Sequence, residues 1–121
     1  MLEIAYAANI LVVAPMAYVL WFRENGVTTI FGPHITMADG MRRLIASMWT
    51  AVVFLSLAGL EWERTFVALL VFEITYKVVF FAGYVIPLAL AGRQDEIPKF
   101  LSLVFGASLF AFPILILLEY L

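Results

Sequence analysis

Apolar residues fill four long stretches of the chain, and charged residues fall mainly in the short connections between them. The stretches cover residues 3–22, 42–60, 65–91 and 99–120. Each is long enough to cross the roughly 30 Å hydrocarbon core of a bilayer, which takes about 20 residues of α-helix. We therefore predict an all-α, polytopic membrane protein in which residues 1–121 form one domain, a bundle of four transmembrane helices.

Composition supports the membrane assignment and excludes other classes of protein. Hydrophobic residues make up 65% of the 121 residues and charged residues 13%, whereas a soluble domain is about half apolar and one-quarter charged. The chain has no cysteine, which excludes disulfides and thiolate metal sites. A net charge of −2 without a basic cluster argues against nucleic acid as a partner.

Basic residues are distributed unevenly between the two ends of the predicted helices. One end has only Arg64. The five at the other end, in or beside the first and third connections, are Arg23, Arg42, Arg43, Arg93 and Lys99. Because lysine and arginine are enriched in cytoplasmic loops, we predict that the connections 23–41 and 92–98 are cytoplasmic. Both the N- and the C-terminus then lie outside.

The segment FEITYKVVFF, residues 72–81, places two charged residues inside the third apolar stretch. At 1.5 Å per residue, Glu73 lies about 12 Å from the outer end of the predicted helix and Lys77 about 20 Å from its inner end. A lone charge at this depth costs on the order of 2.5 to 3.5 kcal/mol. Their i, i+4 spacing puts both side chains on one helix face. The pair is a structural ion pair that fixes the rotation of the helix or part of an intramembrane site. A contact with lipid or with another copy of the chain is the remaining alternative.

Further polar residues are expected close to this pair. Tyr76 and Tyr84 share its helix face, and Asn9 in the first stretch lies at about the depth of Glu73. In a bundle such groups converge on an interior polar pocket, although each taken singly also fits a helix–helix hydrogen bond. The candidate ligand-binding or intramembrane polar site comprises Glu73, Tyr76, Lys77, Tyr84, Asn9, Tyr6, Trp49 and Thr50.

Residues 43–90 carry a tryptophan in the second stretch, a serine and a glycine near its end, and a polar residue followed by Tyr-Lys in the third. The matching residues are Trp49, Ser56, Gly59, Glu73, Tyr76 and Lys77. In these features the chain resembles a group of small four-helix bacterial membrane proteins, and in size and helix number it also resembles DoxX-like proteins. The resemblance implies a protein of the bacterial inner membrane. Glutamate stands where the resemblance implies glutamine, so the lysine is the shared feature.

Two functions remain open, and both are centred on the third helix. In the first, the chain is a binding or accessory protein that takes a lipid, a small amphiphile or a partner membrane protein on its intramembrane polar stripe. In the second, it is a small dimeric proton-coupled transporter in which Glu73 binds and releases protons. The expected partners are the lipid bilayer, a lipid or amphiphile ligand, and a second copy of the chain or a larger membrane complex.

Enzymatic activity is the least favoured class. No nucleophile and no further acid–base pair accompany Glu73 and Lys77, so no catalytic residue is predicted. His34 is the only histidine and has no second ligand at metal-binding spacing. Neither a metal nor another cofactor is therefore expected.

Overall fold

The chain folds into a bundle of four long helices in a computed structural model that describes residues 1–121. Each of the four is long and apolar enough to cross a membrane, which confirms the predicted all-α four-helix architecture. A short additional helix lies in the first connection. The helices are α1 (Leu2–Phe22), α2 (Gly26–Phe31, the short one), α3 (Asp39–Glu61), α4 (Val67–Leu90) and α5 (Lys99–Tyr120).

Two helices begin more than one residue away from the predicted start. Helix α3 begins at Asp39 rather than at 42. Its first turn is polar and therefore lies outside the apolar stretch from which the helix was predicted. A carboxylate there is favourable beside the positive end of the helix dipole. Helix α4 begins at Val67 rather than at 65, since Trp62 to Phe66 form turns. Within α4, residues Phe81–Val85 are π-helical.

The long helices follow one another around the bundle in chain order. Helix α1 contacts α3 and α5, and α4 contacts α5 and α3. Successive helices run in opposite directions, so every neighbouring pair is antiparallel. Helices α1 and α4 therefore lie diagonally opposite, with their inner faces turned toward each other across the centre.

The most extensive contact in the bundle joins α1 to α3. The buried positions of α1 include Leu2, Tyr6, Asn9, Met16 and Leu20, a spacing of three and four residues that is typical of helices crossing at a small angle. A small residue on α3 permits the close approach. A Cβ atom on Gly59 would lie only 2.7 Å from the Tyr6 ring.

Each end of the bundle is closed by hydrogen bonds to backbone carbonyls. At the end that carries the α3–α4 connection, here the Glu63 end, the Tyr6 hydroxyl donates to Glu63 O at 2.6 Å. At the opposite end, here the Arg42 end, the Arg42 guanidinium donates to Leu20 O and to Trp21 O. These carbonyls lie in the last turn of α1, where intrahelical partners are missing.

The α4–α5 connection, also at the Arg42 end, contains an exposed ion pair. Arg93 Nη2 lies 2.6 Å from Glu96 Oε1. This hydrogen bond to the guanidinium lowers the pKa of the Glu96 carboxyl. Gly92 precedes the pair with a φ of 74°, a left-handed conformation that glycine adopts without strain and that ends α4.

Candidate intramembrane polar site

The two charged residues of α4 are enclosed in the centre of the bundle. Glu73 has no exposed surface and Lys77 is 3% exposed. Lys77 Nζ lies 3.7 Å from Glu73 Oε1, which is an ion-pair distance but longer than a hydrogen bond. The two charges therefore neutralise each other while the ammonium keeps its N–H donors free of the carboxylate.

Asn9 of α1 reaches across the bundle to this carboxylate. Its Nδ2 donates to Glu73 Oε2 at 2.7 Å and to Ser56 Oγ at 3.2 Å, which uses both N–H bonds of the amide. Helices α1, α3 and α4 are thereby connected at mid-bundle. The second carboxylate oxygen, Glu73 Oε1, is buried without a hydrogen-bond partner.

Three aromatic rings surround the Lys77 ammonium. Nζ lies 5.1 Å from the centroid of Phe105, 5.3 Å from that of Phe112 and 5.7 Å from that of Tyr76. A cation within about 6 Å of a ring centroid is attracted by the ring quadrupole. The rings and Glu73 together stabilise a positive charge on a side chain that is almost fully buried.

A cavity of about 260 Å³ lies between α1 and α5, beside Lys77. Ten of its thirteen lining residues are hydrophobic or aromatic, and the other three are Asn9, Lys77 and Ser108. Ser108 already donates to Val104 O within its own helix. Lys77 is the one charged group on the cavity wall, because Glu73 does not line the cavity.

Trp49 and Tyr76 add two polar atoms to the same wall. Both residues line the cavity, and neither their indole N–H nor their hydroxyl takes part in a hydrogen bond within the protein, unlike the indole of Trp21, which donates to Thr50. Neither donor atom is fully buried, so each is free to bond to another molecule. The cavity thus combines apolar walls with unused donors, an arrangement typical of small-molecule sites.

The structure brings together five of the eight residues of the predicted site, namely Asn9, Trp49, Glu73, Tyr76 and Lys77. The other three lie elsewhere. Tyr6 contacts the α3–α4 connection through Glu63 O, and Thr50 accepts a hydrogen bond from Trp21 at 3.1 Å.

Tyr84 does not join the site either. Its ring packs on Phe80, with centroids 5.5 Å apart. It lies in the π-helical turn, where the wider backbone ends the α-helical spacing on which a shared face with Lys77 was predicted.

Three residues that contribute to the site were absent from the predicted set. Ser56 accepts the second Asn9 hydrogen bond, and Phe105 and Phe112 flank the ammonium. The two phenylalanines are seven residues apart and so share a helix face, which is a usable signal. The chain has eleven phenylalanines, however, and spacing alone does not select these two.

No group of three or more histidine, aspartate or glutamate side chains is arranged to hold a metal ion. No protein-family model matches the chain, no curated protein matches its sequence and no solved structure matches its fold. The resemblance to small four-helix bacterial membrane proteins stays a prediction from residues 43–90.

Proposed function

We propose that this integral membrane protein is a binding or accessory protein that takes a small amphiphile with an anionic head group into the cavity between α1 and α5. The observation that carries the proposal is the position of Lys77, the one charged residue on an otherwise largely apolar wall. Its nearest carboxylate oxygen is 3.7 Å away. The ammonium therefore has donors to offer to a ligand.

The chemistry of the wall favours an acidic head and a hydrocarbon body. A carboxylate or phosphate oxygen accepts hydrogen bonds from Nζ, which has three donors, and such charge-assisted bonds are among the strongest in proteins. Glu73 is held by Asn9 at 2.7 Å, so Lys77 keeps a counter-charge when no ligand is present. The hydrophobic residues of the wall suit an alkyl chain.

Native mass spectrometry of the protein released from its own membrane tests the proposal. We expect wild type to retain an acidic amphiphile and Lys77→Met to lose it. Lys99→Met is the matched control, because Lys99 is exposed at the start of α5 and does not line the cavity. The double variant Glu73→Gln/Lys77→Met leaves no unpaired charge in the bundle, so it distinguishes loss of the ammonium from the destabilisation caused by an unpaired Glu73. A wild-type protein without any bound amphiphile, or equal retention in all variants, contradicts the proposal.

A small dimeric proton-coupled transporter is the alternative function, and one observation favours it. Glu73 Oε1 is buried without a hydrogen-bond partner, so this oxygen has room for a coupled proton. In that case Glu73→Gln abolishes proton-driven uptake by reconstituted vesicles even where the variant, although less stable, is still folded. In a binding protein the same variant keeps its ligand, because Lys77 is unchanged.

We also propose a location in the bacterial inner membrane, with the connections 23–41 and 92–98 in the cytoplasm. The excess of basic residues at the Arg42 end supports the orientation, and the resemblance over residues 43–90 supports the bacterial membrane. Thr29 and Asp95 are exposed there, and the chain has no cysteine, so single cysteines at these positions give a clean measurement. We expect an impermeant thiol reagent to label them only in inside-out vesicles. Labelling in intact cells would mean the opposite orientation.

A further inference from the structure

A second cavity lies on the other side of the bundle, between α3 and α4. Its volume is about 280 Å³, and all ten of its lining residues are hydrophobic or aromatic. Five of these residues do not line the cavity beside Lys77, namely Ile45 and Val52 of α3, Phe72 and Phe80 of α4 and Leu101 of α5. It therefore offers an environment for hydrocarbon and none for a charge.

The two cavities share one wall. Trp49, Tyr76 and Phe105 line both of them. The Tyr76 and Phe105 rings meet edge to face with centroids 5.8 Å apart, and no hydrogen bond of the Tyr76 hydroxyl holds its ring in place. Ring packing and the cation–π contact with Lys77 hold the Tyr76 ring in the wall, and we expect a change of its rotamer to open a route between the cavities.

The sizes of the cavities support their use as one site. At about 260 and 280 Å³, each is below the roughly 300 to 1,000 Å³ that is usual for small-molecule pockets. Joined across the shared wall, they fall within that range. The joined space is narrow at the three rings, which suits one alkyl chain rather than two.

We infer that the two cavities form a single site for a single-chain amphiphile with an anionic head, such as a fatty acid. The head lies at Lys77 between α1 and α5, and the tail passes Tyr76 into the apolar cavity between α3 and α4. This inference rests on the proposed function, since it requires a ligand at Lys77. It adds the class of that ligand and the direction in which it lies.

Photo-crosslinking with two forms of palmitate tests the inference on the purified protein in nanodiscs. One form carries a diazirine next to the carboxylate and the other carries it at the terminal carbon. Peptide mass spectrometry then locates the label. We expect the first to label α5 near Ser108 and the second to label the wall of the α3–α4 cavity at Phe80 or Leu101.

Two variants distinguish binding of the ligand's head group from binding of its tail. Ile45→Phe fills part of the second cavity, so the terminal label at Phe80 and Leu101 should fall severalfold while the label near Ser108 is kept. Leu44→Phe is the matched control, because Leu44 is 56% exposed and lines neither cavity, and it should change nothing. Glu73→Gln/Lys77→Met should remove both labels.

The outcomes distinguish this inference from the function on which it rests. If the head label depends on Lys77 but the terminal label falls on lipid-facing residues of α1 or α5, the second cavity is not part of the site and the proposed function stands. A terminal label that Ile45→Phe leaves unchanged has the same meaning. If no label depends on Lys77, both proposals are wrong.

Discussion

Two interfaces of the bundle differ in how they are filled. Between α1 and α3, small residues let the helices approach closely, and Gly59 touches the Tyr6 ring. Between this pair and the α4–α5 pair lie the buried charges and both cavities. The α1–α3 contact itself is closely packed, and the groove of about 670 Å³ beside it is open at the outside of the bundle, where Tyr18, Phe22 and Arg43 are exposed. The second interface instead encloses space beside a charge.

The difference indicates which part of the molecule is scaffold and which part is adaptable. Lipid is as apolar as a leucine side chain, so helices in a membrane associate through close packing and interhelical hydrogen bonds rather than through the hydrophobic effect. The α1–α3 pair has both. The second interface depends on the polar group of Asn9, Ser56, Glu73 and Lys77 for its cohesion.

The largest expected effect is at this buried ion pair. Glu73→Gln or Lys77→Met leaves an uncompensated charge in the bundle, and we expect each to lower the free energy of unfolding by about 3 to 5 kcal/mol. The double variant should recover much of that loss. Denaturant titration of the protein in micelles measures all three.

The exposed pair of Arg64 and Glu119, with an Nη2–Oε2 distance of 3.1 Å, is the control for the buried one. Arg64→Met should cost no more than about 1 kcal/mol, because solvent screens surface pairs. Equal losses at the two pairs would mean that the Glu73–Lys77 interface contributes no special cohesion.

The next largest effect on stability tests how closely α1 and α3 pack against each other. Gly59→Ala places a methyl group 2.7 Å from the Tyr6 ring, and overpacking of this kind costs about 1 to 3 kcal/mol. Gly106→Ala is the matched control in α5, where the new Cβ meets nothing within 4 Å. It should stabilise by about 0.5 to 1 kcal/mol, because alanine loses less backbone entropy in a helix. Thermal unfolding of the two variants should therefore shift in opposite directions.

A smaller loss of stability is expected when the hydrogen bond at the Glu63 end of the bundle is removed. Tyr6→Phe keeps the ring against Gly59 but removes the 2.6 Å hydrogen bond to Glu63 O, which should cost about 0.5 to 1.5 kcal/mol. Tyr18→Phe serves as the comparison, since Tyr18 is 56% exposed and its hydroxyl makes no hydrogen bond in the protein. Indistinguishable melting curves for the two variants would show that this bond does not secure the interface.

The smallest expected effect on stability distinguishes the contribution of an interhelical hydrogen bond from that of an intrahelical one. Thr50 and Thr75 each donate to the carbonyl four residues earlier, at 2.7 and 2.8 Å, but Thr50 also accepts from Trp21. Thr50→Val should cost about 0.6 kcal/mol, the average for such bonds in a membrane. Thr75→Val should cost nothing measurable, and a larger loss at Thr75 would contradict the comparison.

The sequence by itself determined the four spans and the depth of the charged residues. Both follow from local properties: the length of an apolar stretch must match the bilayer, and helical periodicity places Glu73 and Lys77 on one face. Even the common depth of Asn9 and Glu73 follows from counting residues inward from the same side.

Only the tertiary structure decided which residues meet. It placed α4 opposite α1, so that Asn9 reaches Glu73, and it turned Lys77 toward Phe105 and Phe112 of α5. Helical periodicity alone implies that Thr50 and its neighbour Trp49 face different directions, but only the structure showed that Trp49 faces the cavity and Thr50 faces Trp21. The physical reason is that lipid and bundle interior are equally apolar. A hydrophobic pattern therefore marks where each helix crosses the membrane but not which face it turns inward, and that choice depends on packing and on the few polar groups that find partners.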